Sequence, residues 1–230
     1  MEIAQPLKGH SRVVFVSDAY RGRNGTGTFY PDLVEQLSPR LDAVELIQPA
    51  LGGADTAASI PMPGDPTQRL AFPAMGRIEQ AMRKIRPHIV IAATPGPFGI
   101  QALRAARRHG SALLSGYHTD FIQLLEIYWG PIRRALAVPA LRRFQHMLWR
   151  SSDAVLVNAW DVSANLQSLG VERIELMGTP LPAEFIHTEI AAPPERLRQV
   201  CFIGRFAREK RLESVIEAAR ECPEIHFVVA

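Results

Sequence analysis

Ser115-Gly116-Tyr117-His118-Thr119-Asp120-Phe121 follows directly on a short apolar run. An imidazole at the end of such a run can hydrogen-bond a sugar hydroxyl or a phosphate. His118 and Asp120 lack a third partner for a metal, so no metal site is expected here. The plainer alternative is a cap on the next helix, a task better suited to Thr119 and Asp120. Tyr117, Phe121, Tyr128 and Trp129 stand close by, as stacking partners for a ring or as core.

Two further clusters carry charge or backbone donors. Gly204-Arg205-Phe206-Ala207-Arg208-Glu209-Lys210 ends an apolar run and precedes a helical one. Arg205 and Lys210 together offer a guanidinium and an ammonium, a pair suited to a diphosphate. Lys210 is one of three lysines beside 23 arginines, which makes a lysine there informative. A solvated charge cluster is the alternative. Arg21-Gly22-Arg23-Asn24-Gly25-Thr26-Gly27-Thr28 is a glycine-rich stretch between a strand and a helix. Asn24, Gly25, Thr26 and Gly27 can bring backbone N–H groups to an anion or an acceptor. The glycines fall at 22, 25 and 27, which is neither G-x-G-x-x-G nor a Walker ending. An ordinary flexible loop is the other reading. A fourth segment, Trp129–Arg150, mixes five arginines with Leu136, Leu141, Phe144, Leu148 and Trp149 and contains Pro139. It reads as a kinked helix or two helices, facing an anionic membrane surface or simply water.

These groups need a scaffold that places loops on one edge. Apolar, β-branched runs at 13–17, 44–48, 88–93, 112–116, 154–158 and 173–177 read as strands. Helical stretches lie around 29–37, 69–85, 97–109 and 160–169, the last ending at Gly170. Residues 49–68 read as loop, with room for a short strand within it. Strand–helix alternation of this kind means parallel pairing, hence an α/β, doubly wound sheet. Residues 1–178 form this first domain. Prolines at 180, 182, 193 and 194 mark 179–199 as a linker. A second unit opens at 200–204, continues through a helix at 210–220 and reaches a strand at 225–230, the start of a second α/β domain that is cut off.

Composition bounds the rest. The chain has 230 residues, 47% hydrophobic and 21% charged, an ordinary globular balance that excludes a disordered chain or a coiled coil. A formal charge of +3 gives no case for nucleic acid. No apolar run is long enough to span a bilayer, and the N-terminus shows no secretory pattern. The expected place is the cytoplasm, with peripheral contact at the inner membrane face through 129–150. Cys201 and Cys222 read as free thiols.

The ordered set of motifs resembles the GT-B-fold glycosyltransferases of family 4, closest to the retaining mannosyltransferases and sulfoquinovosyl-type glycolipid transferases. The residues that carry the resemblance are Asn24-Gly25, Gly99 through Arg107, Tyr117 through Phe121, Asp153 through Val157, and Gly204-Arg205 with Glu209-Lys210. The resemblance implies two Rossmann-like domains facing a cleft, of which the C-terminal one starts near residue 200. It implies transfer of a hexose from a nucleotide sugar, GDP-mannose or a UDP-sugar, to a lipid or glycan hydroxyl, with retention and without a metal or other cofactor. His118 would lie at the reacting sugar, with Tyr117 and Asp120 as further sugar contacts. Arg205 and Lys210 would hold the donor diphosphate. Asn24, Gly25, Thr26 and Gly27 would lie near phosphate and acceptor. Gly178-Thr179-Pro180 and Arg211 depart from the family pattern, and its acidic motif would fall beyond Ala230, so this portion alone is expected to be inactive. A non-catalytic binding module on the same fold is the alternative. A dinucleotide-dependent oxidoreductase is disfavoured by the missing G-x-G-x-x-G.

Overall fold

A computed structural model describes residues 11–230 apart from positions 51, 63, 64, 190, 191 and 193. Its centre is a six-stranded parallel sheet. The strands are β1 (Arg12–Val16), β2 (Ala43–Ile47), β5 (Ile89–Ala92), β6 (Ala112–Tyr117), β7 (Ala154–Val157) and β8 (Ile174–Leu176), in the order β2-β1-β5-β6-β7-β8. Between β2 and β5 a hairpin of β3 (Thr56–Met62) and β4 (Asp65–Pro73) is inserted. The helices of this part are α1 (Gly25–Leu37), α2 (Arg77–Ile85), α3 (Pro97–His109), α4 (Phe121–Tyr128), α5 (Pro131–Arg150) and α6 (Ser163–Ser168).

The central strands are apolar on both faces, as strands covered on both sides must be. Alternation assigns each side chain to a face. Val14, Val16, Val90 and Ala92 pack with Ile78 and Met82 of α2, Phe98, Ala102 and Leu103 of α3, and Leu148 and Trp149 of α5. Val13, Phe15, Ile91 and Ala93 pack on the other face with Phe29 and Tyr30 of α1. Tyr30, Phe15 and Phe98 are fully buried, each a contribution of about 1.5–3 kcal/mol.

The expected helix at 69–85 is corrected, and the 49–68 stretch, read as loop with room for a short strand, holds β3 and the start of β4. Residues 69–73 belong to β4, where Ala71 is fully buried in the first core. Pro73 ends that strand and Gly76, at φ 77°, turns the chain into α2. Along 71–73 burial alternates with the strand period, Ala71 and Pro73 buried and Phe72 exposed. Helix α1 also starts earlier than its apolar stripe, because Asn24 caps it ahead of Phe29. Trp129–Arg150 resolves into the end of α4, a break at Gly130, and one helix that keeps Pro139 inside.

After β8 come a short α7 (Ala183–Ile186), β9 (Gln199–Phe202), a 3₁₀ turn (Arg208–Lys210), α8 (Leu212–Glu221) and β10 (His226–Val229). β9 and β10 pair in parallel, as a βαβ unit requires. Helix α8 starts at Leu212, two residues later than the sequence suggested, behind Arg211 at φ 50°.

Candidate functional site

The strand order reverses direction in sequence between β1 and β5, and ligands of open α/β sheets bind outside the carboxyl ends at such a point. Three loops meet at this edge: the one after β1, the one after β5 and the one after β6.

The loop after β1 is built by Asn24 and Gly27. The Asn24 side chain accepts a hydrogen bond from the Gly27 N–H at 2.8 Å and caps α1. Gly27 is buried, and a side chain there would run into the Tyr20 carbonyl. Gly25 is exposed with open space around it. Gly27 thus serves the fold, while Gly25 and Thr26 leave the first turn of α1 approachable.

Sequence reasoning missed the group at the reversal point. Asp18 follows the last residues of β1 and reaches across to the start of α3. Its Oδ1 accepts from the Phe98 N–H at 2.8 Å, and its Oδ2 accepts from the Thr94 hydroxyl at 2.7 Å and the Gly99 N–H at 3.4 Å. The Asp18 N–H in turn donates to Thr94 Oγ1 at 2.7 Å. Helix α3 has no capping side chain of its own and is capped by Asp18 instead. A Cβ on Gly96 would lie 2.5 Å from the Asp18 carboxyl, so the glycine admits the contact. Burial pushes the Asp18 carboxyl up to about 6, against the lowering effect of these donors. The helix N-terminus where other sheets of this type bind phosphate is here filled by a carboxylate of the chain itself. The signal available in the sequence was an acidic residue directly after the buried run VVFVS, with a Gly-Pro-Phe-Gly helix start elsewhere.

His118 lies just past β6, on the α1 side of the sheet. Its Nε2 is 2.6 Å from the Tyr30 hydroxyl, and its ring centroid is 4.9 Å from that of Phe29. The Tyr30 ring meets it nearly edge-on at 88°. Burial lowers the His118 pKa to about 4, opposed by a hydrogen bond with the Asn158 side chain. The ring is therefore neutral at pH 7. It can share hydrogen bonds with a hydroxyl but supplies no positive charge.

Tyr117 and Asp120 do not join His118. Tyr117 belongs to the core on the opposite face, with its ring centroid 5.3 Å from that of Trp149. Asp120 is the cap of α4, its Oδ1 accepting from Ile122 and Gln123 N–H at 3.0 and 3.1 Å. Both line a cavity of about 460 Å³ together with Arg142, Arg143, His146 and Asn165.

The two cations of the second unit are placed differently from each other. Arg205 pairs with Glu209 at 3.0 Å, and the Tyr128 hydroxyl donates to the same carboxylate. Tyr128 ends α4, so this carboxylate ties the 205–210 turn to the helix that follows His118. Lys210 is exposed at the end of its 3₁₀ turn. Among the described residues no cluster of three or more His, Cys, Asp or Glu side chains is placed to hold a metal ion.

No curated protein matches the chain. Among solved structures it is similar to Glycyrrhiza uralensis UGT73P12 complexed with glycyrrhetinic acid 3-O-monoglucuronide, at 10% identity and a TM-score of 0.41. That similarity covers 73% of this chain and 48% of the other, so the chain spans about half the length of that structure. Residues 23–184, which hold the α1 cap, the start of α3, His118 and α5, match the profile of Glycosyltransferase Family 4. The chain belongs to Glycosyltransferase Family 4.

Proposed function

We propose that the protein moves a hexose from a nucleotide sugar, GDP-mannose or a UDP-sugar, to a hydroxyl of a lipid or glycan acceptor. The transfer proceeds with retention of configuration and without a metal or other cofactor. One observation supports this reading above the others. The tie from Tyr128 to Glu209 sets the cation-bearing turn against α4, the helix that opens three residues after His118. A neutral hydrogen-bonding group and a cationic turn are thereby linked through one short helix.

In this reading the bond between the anomeric carbon and the donor phosphate oxygen breaks, and its electron pair leaves on the diphosphate. The acceptor oxygen forms the new bond and gives up its proton to the departing diphosphate oxygen. A neutral His118 hydrogen-bonds a hydroxyl of the reacting sugar and leaves the developing charge to Arg205 and Lys210. Arg205 would exchange the Glu209 carboxylate for the phosphate. Asn24, Gly25, Thr26 and Gly27 form the acceptor side, while Tyr117 and Asp120 line a separate cavity and are not assigned to the reacting sugar. Helix α5 carries five arginines and no carboxylate, with Ile132 and Leu136 each 77% exposed, which supports peripheral contact with an anionic membrane. No helix among the described residues is long and apolar enough to cross a membrane.

The test uses the protein as purified from its own cells, supplied with labelled GDP-mannose or UDP-hexoses and with lipid vesicles or glycan primers. Label should appear on the acceptor with the donor's anomeric configuration, read by NMR. His118→Ala should abolish transfer in a protein that still folds, with a lowered melting temperature because the buried Tyr30 hydroxyl loses its acceptor. Arg205→Ala or Lys210→Ala should each lose about 2–4 kcal/mol of transition-state stabilisation in kcat/KM. Donor binding without transfer would favour a binding module, and neither binding nor transfer would end the transferase reading.

A further inference from the structure

We propose that Tyr30 is the positioning residue of the His118 site: its hydroxyl donates to Nε2, fixes the ring in place and puts the ring proton on Nδ1. The inference deepens the transferase reading and rests on it for its functional meaning. Its physical basis is independent of that reading.

The geometry starts with burial. Tyr30 has no exposed surface and projects from α1 toward the carboxyl end of β6. A buried phenol must place its hydrogen on an acceptor. Its acceptor is His118 Nε2, at 2.6 Å. Burial also raises the phenol pKa, so the hydroxyl keeps its proton. Nε2 can accept that proton only as the bare nitrogen of a neutral imidazole, which leaves the ring hydrogen on Nδ1. The reverse arrangement, with Nε2–H donating to the phenol oxygen, would strand the Tyr30 hydrogen in the core.

The surroundings are shaped for this contact. A Cβ on Gly116 would lie 2.7 Å from the Tyr30 hydroxyl and 2.8 Å from His118 Nε2, closer than such atoms approach. Glycine at 116 is thus what lets the two groups meet above β6. Phe29 packs on the imidazole from the next position of the same helix. The ring is held by α1 on one side, and the Asn158 side chain is its other hydrogen-bonding partner. A ligand oxygen would meet the Nδ1 hydrogen in competition with Asn158, and the ring could not turn to offer an acceptor without breaking the Tyr30 bond.

The tautomer is read directly by ¹⁵N NMR of the imidazole in the full chain, with the His118 signals assigned by His118→Gln. In the unaltered protein at neutral pH, Nε2 should resonate as an unprotonated nitrogen and Nδ1 as an N–H. Tyr30→Phe, which keeps the ring that packs in the core, should shift His118 toward a mixture of the two tautomers. If transfer is measurable, the same change should lower kcat with little effect on donor KM. An Nε2–H tautomer in the unaltered protein would overturn the proposal without need of any variant. So would a folded Tyr30→Phe protein whose His118 spectrum is unchanged. The tautomer is measured without substrate, so a protein with the predicted tautomer and no transferase activity would reject the transferase reading and leave the positioning role standing.

Discussion

At the scale of residues, the edge of the sheet is governed by groups that satisfy one another before any ligand arrives. Asp18 spends its carboxylate on the α3 N-terminus and Asn24 spends its amide oxygen on α1. A consequence follows for pH. The Asp18 carboxyl is raised from 3.8 to about 6, so the folded state favours its neutral form. Its contribution to stability is full below pH 4 and is lost as pH rises through 6. Asp18→Asn removes this titration. Its melting temperature relative to the parent should therefore rise between pH 4 and pH 7, and a difference independent of pH would refute the assignment. The glycines of the first loop separate in the same way. Gly27→Ala should destabilise by about 1–3 kcal/mol, because the added methyl meets the Tyr20 carbonyl. Gly25→Ala, in open space, should stay within about 0.5 kcal/mol in denaturant melts. If that loop receives the acceptor, the same Gly25→Ala protein should still bind it less well.

At the scale of elements, two helix ends are strained. Arg86 closes α2 at φ 51° and Arg211 precedes α8 at φ 50°, both in the left-handed region where a Cβ costs about 1–2 kcal/mol. Arg211→Gly should remove that cost at an exposed site. Part of the gain is offset by a freer unfolded chain, which leaves about 0.5–1 kcal/mol of added stability. A lower melting temperature would mean that the Arg211 side chain holds α8 in a way its exposure does not show. The same scale explains the misread 69–85 segment. Leu70, Ala71 and Phe72 are a run of consecutive apolar residues that fixes neither period, and Pro73 and Gly76 lie between them and α2. Their partner is β3, a strand whose apolar side chains beyond alanine and proline are only Ile60 and Met62. A hairpin held by pairing with so plain a partner is visible only when both strands are in place.

At the scale of the whole molecule, the six-stranded sheet and the βαβ unit of β9, α8 and β10 differ in burial. Val14, Val90 and Val155 have no exposed surface, while Ile203 is 81%, Phe206 73% and Val229 42% exposed. Local opening follows burial, so amides of β9 and β10 should exchange with solvent well before those of β5. Equal protection of the two regions by hydrogen exchange would contradict this. Glu209 joins the two parts through Tyr128 and Arg205. Glu209→Ala should raise exchange across 199–229 and leave β1 and β5 unchanged. An unaltered exchange pattern would show that the βαβ unit is held by other contacts.

The sequence by itself determined the parallel α/β sheet, because strands buried on both faces and joined by amphipathic helices have few other ways to hide their apolar surface. It also determined that His118 and the glycine-rich first loop stand at strand ends, since period and turn residues are local properties. What only the tertiary structure decided is which groups face each other across the chain. Asp18 meets Phe98 and Thr94 from about eighty positions away, and Tyr30 meets His118 from about ninety. Tyr117 and His118 are neighbours in sequence yet belong to opposite faces of the sheet. Contacts of this kind depend on strand order and on the face each side chain takes, and neither is written in the spacing of residues along the chain.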